Sequence, residues 1–292
     1  MSRHTLNPTQ LRPRTFATSN HNGRCVAWIA LVVAALWAAP GNATPIYSET
    51  FDGPAVPSNW TAQNGTQGLA TLAIADDTGG INTGDALSIE SATRQGVIGE
   101  FSELSLVDVG DTIELCFDLR LTQYADNAGG FRFGLYHDND GLSDSSGYRA
   151  LLRTGSSGGS LDVQADGGDT DIAFGTNRQN PPGYATHVLK IDDTLPHALG
   201  MTLTRTSGGV TINVSLDGVL AYQPDPLEHA TGGTIPIQTS FNQIAFTTNG
   251  GYTGLIDNVQ VKYTAIPEPA SLALVALGTA LLAIASGRSR KR

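Results

Sequence analysis

Between residues 44 and 265 no stretch of the chain carries an apolar period of helical spacing, while runs of β-branched and aromatic residues bounded by Gly, Asn, Asp and Pro recur throughout. Residues 112–124 read TIELCFDLRLTQY, in which Ile113, Leu115, Phe117, Leu119 and Leu121 alternate with Glu114, Cys116, Asp118 and Arg120. Successive strand side chains point to opposite faces, so one face of this segment is expected to be buried and the other wet. Residues 210–216 repeat the alternation and run into Asp217-Gly218, a two-residue turn that returns the chain through 219–222 as a hairpin. Further strands are expected near 46–51, 86–90, 96–101, 130–137, 147–153, 186–191, 199–206, 243–248 and 254–263. About a dozen strands predict an all-β domain of two packed antiparallel sheets.

Charge divides the chain into three regions. Of 292 residues, 17 are Lys or Arg and 27 are Asp or Glu, a net charge of -10. Residues 1–43 hold four Arg and no acid, and residues 266–292 hold Arg288, Arg290, Lys291 and Arg292 against Glu268. The middle, 44–265, is left with 9 basic and 26 acidic residues. Such a body repels nucleic acid and anionic membrane surfaces and favours cations and uncharged partners. The 34 Gly follow no three-residue period, which excludes collagen, and the aliphatic content excludes wholesale disorder. A domain of 222 residues buries roughly 70% of its unfolded surface and needs no disulfide. Cysteine usage agrees, since Cys25 falls in the N-terminal apolar run and only Cys116 in the middle.

Both ends read as membrane-handling segments. Residues 25–39, CVAWIALVVAALWAA, are uncharged, follow Arg12, Arg14 and Arg24, and precede the small residues Gly41-Asn42-Ala43. This is the design of a secretory signal peptide over 1–43, with cleavage after Ala43 and export through the Sec translocon. An uncleaved anchor helix is the alternative, for which fifteen residues are short against a bilayer core of about 30 Å. At the other end, Pro267-Glu268-Pro269 forms a stiff extended segment, because proline neither continues a strand nor enters a helix interior. Sixteen uncharged residues, 270–285, and the basic tail follow as a stop-transfer arrangement. The alternative is a buried helix that completes the domain.

The order of Pro267-Glu268-Pro269, a short Leu/Ala/Val/Gly helix and a terminal Arg/Lys cluster closely resembles the PEP-CTERM sorting signal of exported bacterial proteins, here over 266–292. The resemblance implies transient membrane retention, an exosortase as processing partner, and a final place on the cell surface or in the exopolysaccharide matrix of a Gram-negative bacterium. The middle, 44–265, resembles the LamG or concanavalin A-like jelly roll in Glu49-Thr50-Phe51-Asp52, FRFGLYHDNDG at 131–141, HALGMTLTRTSGGVTINVSLDG at 197–218, FNQIAF at 241–246 and GLIDNVQV at 254–261. That resemblance implies a lectin-like sandwich with a concave sheet, a scaffold for glycan binding and for several polysaccharide-cleaving enzymes.

Candidate site residues follow. Asp138, Asp140 and Asp144, with Asn139 and Ser143 between them, offer alternating oxygen ligands of the kind calcium takes, and equally compose an ordinary solvated hairpin loop. Glu49 and Asp52 near the first strand and Asp257 on the last form a second expected calcium site, which the jelly-roll resemblance implies; Asp257-Asn258 equally caps a turn. For stacking on sugar faces, Tyr148 and Tyr184 rank first among the available rings, because they lie in Gly/Ser/Pro-rich stretches. Glycosidase chemistry needs two facing carboxylates, and Glu114 with Asp118 is the pair that strand parity places on one face. No His-Glu-x-x-His, Gly-x-Ser-x-Gly or phosphate-binding loop occurs, and Cys116 has no local His to activate it. The chain is expected to be a non-catalytic, exported surface or matrix component that binds polysaccharide. A polysaccharide-active hydrolase or lyase and a purely structural matrix protein are the alternatives.

Overall fold

The computed structural model describes residues 43–65, 68–69, 71–78, 80–81, 84–91, 94–123, 130–138, 145–152, 161–167, 178–181, 189–222, 226–249 and 252–266, all within one compact unit, 41–266. The expected leader, apart from Ala43, and the segment from Pro267 onward lie outside the described residues. Among the described residues every regular element is a strand. They are β1 (Thr44–Glu49), β2 (Trp60–Gly65), β3 (Gly68–Leu69), β4 (Thr71–Asp76), β5 (Asp85–Ser91), β6 (Arg94–Ser105), β7 (Thr112–Gln123), β8 (Phe131–His137) and β9 (Ser146–Leu152). The chain continues through β10 (Leu161–Gly167), β11 (Arg178–Gln179), β12 (Pro196–Arg205), β13 (Gly209–Leu216), β14 (Val219–Leu220), β15 (Leu227–Ala230), β16 (Ser240–Asn249) and β17 (Tyr252–Thr264).

These strands form two antiparallel sheets. The first runs β14-β13-β12-β7-β17-β5-β4, with β1 also on β17 and β15 on β13; the second runs β11-β10-β9-β8-β16-β6-β2-β3. The chain crosses between sheets at β1 to β2, β3 to β4, β5 to β6, β6 to β7, β7 to β8, β11 to β12, β15 to β16 and β16 to β17. This interleaving of two antiparallel sheets is a jelly roll. Strand β7 shows why the sequence folds so: Ile113, Leu115, Phe117, Leu119 and Leu121 are buried and the residues between them half-buried. A one-residue slip against β12 or β17 would expose all five, which fixes the register. Between the sheets Phe117 meets Phe246 and Phe133 edge-on, at ring separations of 4.7 and 5.0 Å, and Trp60 stacks on Phe246 at 5.9 Å. Gly99 makes room for that indole, since a Cβ there would stand 2.6 Å from its ring.

The expected β13–β14 hairpin is present, with Asp217 and Gly218 both at positive φ as the tight turn requires. Six strands, β2, β3, β4, β10, β11 and β15, were not anticipated. The expected strand at 186–191 reduces, within the described residues, to a single bridge at Ile191.

Carboxylates anchor both ends of the first sheet. Asp111, buried, accepts hydrogen bonds from the Val107 and Asp108 amides and the Tyr263 hydroxyl at one oxygen, and from the Ile266 amide at the other, all at 2.9–3.0 Å. Burial alone would raise its pKa; these four donors outweigh burial and hold it low. At the opposite end His197 lies between Asp217, 2.8 Å from Nδ1, and Asp193, 2.9 Å from Nε2, and Asp217 also accepts the Ala198 amide. Burial lowers the His197 pKa, but the bonds to Asp217 and Asp193 and their charges outweigh it, so the net shift is upward. The Asp193 carboxyl is held low by the Leu195 amide and by His197.

A sign follows for stability. The His197 contribution is fully present below about pH 6.5, its ordinary value, and is lost as pH rises through the elevated folded-state value. Asp193 contributes above its ordinary value and loses its share as pH falls through the depressed folded-state one. Thermal melts from about pH 5 to about pH 9 should show the native transition falling on the alkaline side and His197→Gln lacking that fall. Superimposable pH profiles would show that the imidazole stabilises nothing.

Candidate binding face

The outward face of the second sheet carries a polar lattice that register assembles. On β8, β9 and β10 the core takes Phe131, Phe133, Leu135, Tyr148, Ala150, Leu152, Leu161, Val163 and Ala165. The alternate residues project the other way. Pairing sets Ala245, Gly134, Arg149 and Gln164 in one cross-strand row. Gln243, Tyr136, Gly147 and Asp166 form the next, and Thr247, Arg132, Leu151 and Asp162 the third. The two glycines matter sterically. A Cβ on Gly134 or Gly147 would stand 2.2 Å from a neighbouring carbonyl and 3.0 or 2.9 Å from the Tyr136 ring, so the ring lies across both.

Most of these side chains are buried although they face away from the main core. Arg149 and Asp166, each about 1% exposed, form an ion pair at 3.3 Å. The Tyr136 hydroxyl donates to the same Asp166 oxygen at 3.4 Å, and burial, reinforced by that carboxylate, keeps the phenol protonated. Arg149 Nε donates to Gln164 Oε1 at 3.1 Å, and the Gln164 amide donates onward to Asn180 at 3.1 Å. Across the sheet, Ser145 donates to Gln243 Oε1 at 3.0 Å and Gln243 donates to Asp138 at 3.3 Å. Ile98, Tyr136 and Ala245 make a small apolar cluster beside this network. Solvent reaches the margin: Gln164 is half-buried, and Asn180, Arg178 and Glu100 are exposed. Guanidinium, amide, phenol and carboxylate in one connected set offer donors and acceptors at fixed positions, as ring hydroxyls require.

The outward face of the first sheet is different. A depression of about 230 Å³ there is lined by Cys116, Asp118, Gly200, Ser215, Asn258 and Gln260 among others. Asn258, at positive φ in the bulge between Asp257 and Gln260, donates to Asp118 at 2.8 Å. Glu114 lies 4.0 Å from Lys262.

The residues singled out from sequence are placed as follows. Tyr148 is a correction: its ring is fully buried against Phe241, its hydroxyl meets His229 Nδ1 at 3.1 Å and accepts the Gln238 amide, and it offers no face to a sugar. Its parity with Ala150 and Leu152 turns it inward, and the nearby glycines do not override that parity. Trp60, Tyr136 and Tyr222 are buried as well. Tyr184, Asp140 and Asp144 lie outside the described residues. Asp138 is half-buried at the end of β8, its amide bonded to Asn242 and its carboxylate to Gln243. Glu49 accepts the Thr50 and Phe51 amides and so closes its own turn, and Asp257 is buried with one oxygen on the Asn258 amide. Among the described residues no group of three or more His, Cys, Asp or Glu side chains is disposed to hold a metal. Ala43 is exposed, immediately before β1. Arg132, Arg149, Gln164 and Asp166 were missed, because in sequence they are indistinguishable from the wet side of an amphipathic strand.

No curated protein sequence matches the chain. Among solved structures it is similar to the globular domain of T. cruzi calreticulin, at 12% identity over 85% of this chain and 98% of that one, with a TM-score of 0.49. It is similar to the carbohydrate recognition domain of Emp46p in its potassium-bound form, at 14% identity over 74% and 95%, TM-score 0.48. It is also similar to an endo-1,3-β-glucanase from Streptomyces sioyaensis, at 16% identity over 78% and 99%, TM-score 0.44. Likeness at this level assigns no activity. The family model described as the PEP-CTERM protein-sorting motif matches residues 265–291. The jelly-roll chain thus carries a PEP-CTERM sorting motif directly after its last strand, which implies export, a membrane-anchored stage and an exosortase as processing partner.

Proposed function

We propose that the protein is a non-catalytic component of the cell surface or exopolysaccharide matrix that binds extracellular polysaccharide at the margin of the polar lattice on its second sheet. One observation carries the reading. A sheet face opposite the core holds a connected set of hydroxyl-complementary groups, kept in place by a buried ion pair, and its edge at Gln164 and Asn180 opens to solvent. Breaking the buried pair strands a charge and costs about 3–5 kcal/mol, so Arg149 supports the face and Gln164 and Asn180 meet the ligand. Binding of bacterial exopolysaccharides should weaken at least about tenfold in Gln164→Ala/Asn180→Ala, the loss of two ligand hydrogen bonds, while the melting temperature falls by only the few degrees that the lost Gln164 acceptor of Arg149 accounts for. Arg149→Ala should lose stability first. Binding of no polysaccharide, or equal binding by the double variant, would defeat the proposal.

Spacing along the strands weighs against Glu114 with Asp118 as a catalytic pair. Glu114 and Asp118 on β7, like Asp162 and Asp166 on β10, are four residues apart. Four strand residues span about 13 Å, more than the roughly 5–9.5 Å that glycoside hydrolysis uses. Asp118 and Asp166 are also engaged by Asn258 and Arg149. Nucleophilic chemistry at Cys116 is disfavoured in the same way. Burial, and then the Glu114 charge, push its thiol up to about 11, which Lys262 only partly offsets. Alkylation of Cys116 should therefore still gain about tenfold per pH unit near pH 10. A plateau close to the ordinary thiol range would mean an activated cysteine.

Calcium belongs to the same proposal, held by Asp138, whose carboxylate accepts the Gln243 amide, together with Asp140 and Asp144. EDTA should then lower the melting temperature by a few degrees, with calcium but not magnesium restoring it. An unchanged melt would remove the ion from the account.

A further inference from the structure

Exposed large apolar side chains are sorted by end in the first sheet. Thr112 pairs with both Thr204 and Thr264, and Thr44 pairs with Tyr263. The start of β1, the 106–111 loop, the turn after β12 and the chain exit at Ile266 therefore lie together at one end. Pro196 pairs with Arg120, and Leu216 with Val219, at the other. Four exposed residues, Ile46, Val107, Val109 and Ile266, belong to the first end; among the described residues the remaining three, Leu195, Val219 and Leu220, belong to the second. Val107 and Val109 are the most exposed of the first group, at 73% and 61%. Ile266 lies against Gly110, where a Cβ would stand 2.7 Å from its side chain, so it adjoins Val109. Asp111 holds this rim rigid, because one carboxylate takes the Val107, Asp108 and Ile266 amides together.

Chain length says what covers the rim. Three residues, Pro267 to Pro269, separate Ile266 from the sixteen uncharged residues that begin at Ala270. Fully extended they reach about 10 Å, while the headgroup zone on each side of a bilayer is roughly 5–8 Å thick. A sandwich whose C-terminal segment is in the membrane has no room for a solvent layer at this end. Its strongly acidic body would otherwise stay away from an anionic surface, whereas four of the seven exposed large apolar side chains among the described residues, with the exposed Asp108 between two of them, lie at this end.

We propose that, while the C-terminal segment is uncut, the sandwich stands end-on on the lipid surface with Val107, Val109 and Ile266 in the headgroup zone. The contact rests on the anchored stage and is independent of sugar binding. The test uses the chain from Thr44 to Arg292, C-terminal segment intact, with Cys116→Ser and one added cysteine, Val109→Cys or, at the opposite end, Leu195→Cys. Each is labelled with an environment-sensitive fluorophore and reconstituted into phosphatidylcholine/phosphatidylethanolamine vesicles that carry a shallow lipid-borne quencher. Several-fold stronger quenching at 109 than at 195, lost when 267–292 is removed, is expected. Equal, weak quenching at both positions in a chain that floats with the vesicles would overturn the rim contact alone. A blue shift at 109 without lipid quenching would also overturn it, since protein would then cover the rim. A full chain that does not float would overturn the anchored stage, and the proposal with it.

Discussion

Strand β17 is long enough, at Tyr252–Thr264, to carry β7 along one edge and β5 followed by β1 along the other. The rest of the first sheet follows from those three pairings. β7 fixes β12 and through it β13, β5 fixes β4, and β1 brings the start of the domain beside its end. The register is held by apolar alternation, since Ile256, Val259 and Val261 must meet the same core as Leu115 and Phe117. The bulge at Asp257–Gln260, with Asn258 at positive φ, shifts the inward positions from even to odd numbers, so β17 keeps its apolar side on the core while its partner changes from β5 to β1.

Two kinds of polarity result on the two outward faces. The first sheet presents half-buried groups such as Cys116, Asp118 and Gln260 around a shallow depression. The second sheet presents a network whose inner members bond to one another. A buried Arg–Asp pair gains little net stability over apolar packing, but it is costly to break, and it fixes where neighbouring amides point. That asymmetry suits a surface that recognises by geometry. The unpaired carboxylates of a hydrolytic groove would be arranged differently.

Strands were legible where alternation ran through strong apolar residues, as in β7, β13, β16 and β17. They were hidden where the inward positions were small or few. β10 turns only Leu161, Val163 and Ala165 inward, and its Asp162, Gln164 and Asp166 read as loop chemistry. The lattice was hidden for a deeper reason. A period of two records that Arg132, Arg149 and Asp166 face away from Phe133 and Ala150, but carries no information on whether that face meets water or is enclosed. Tyr148 shows the reverse case, since its inward direction was written in its parity with Leu152 while composition pointed outward. The sorting motif was legible without any fold, because proline stiffness, an uncharged run and terminal cations act through chemistry that needs no tertiary partner.

The indole at Trp60 has a practical corollary. The sequence holds three tryptophans, and Trp28 and Trp37 both precede Ala43. A chain cut there keeps a single one, wedged between Phe51 and Phe246 over Gly99, where the two layers meet. Its emission is a built-in gauge of whether those layers are closed, readable without a dye or a tag.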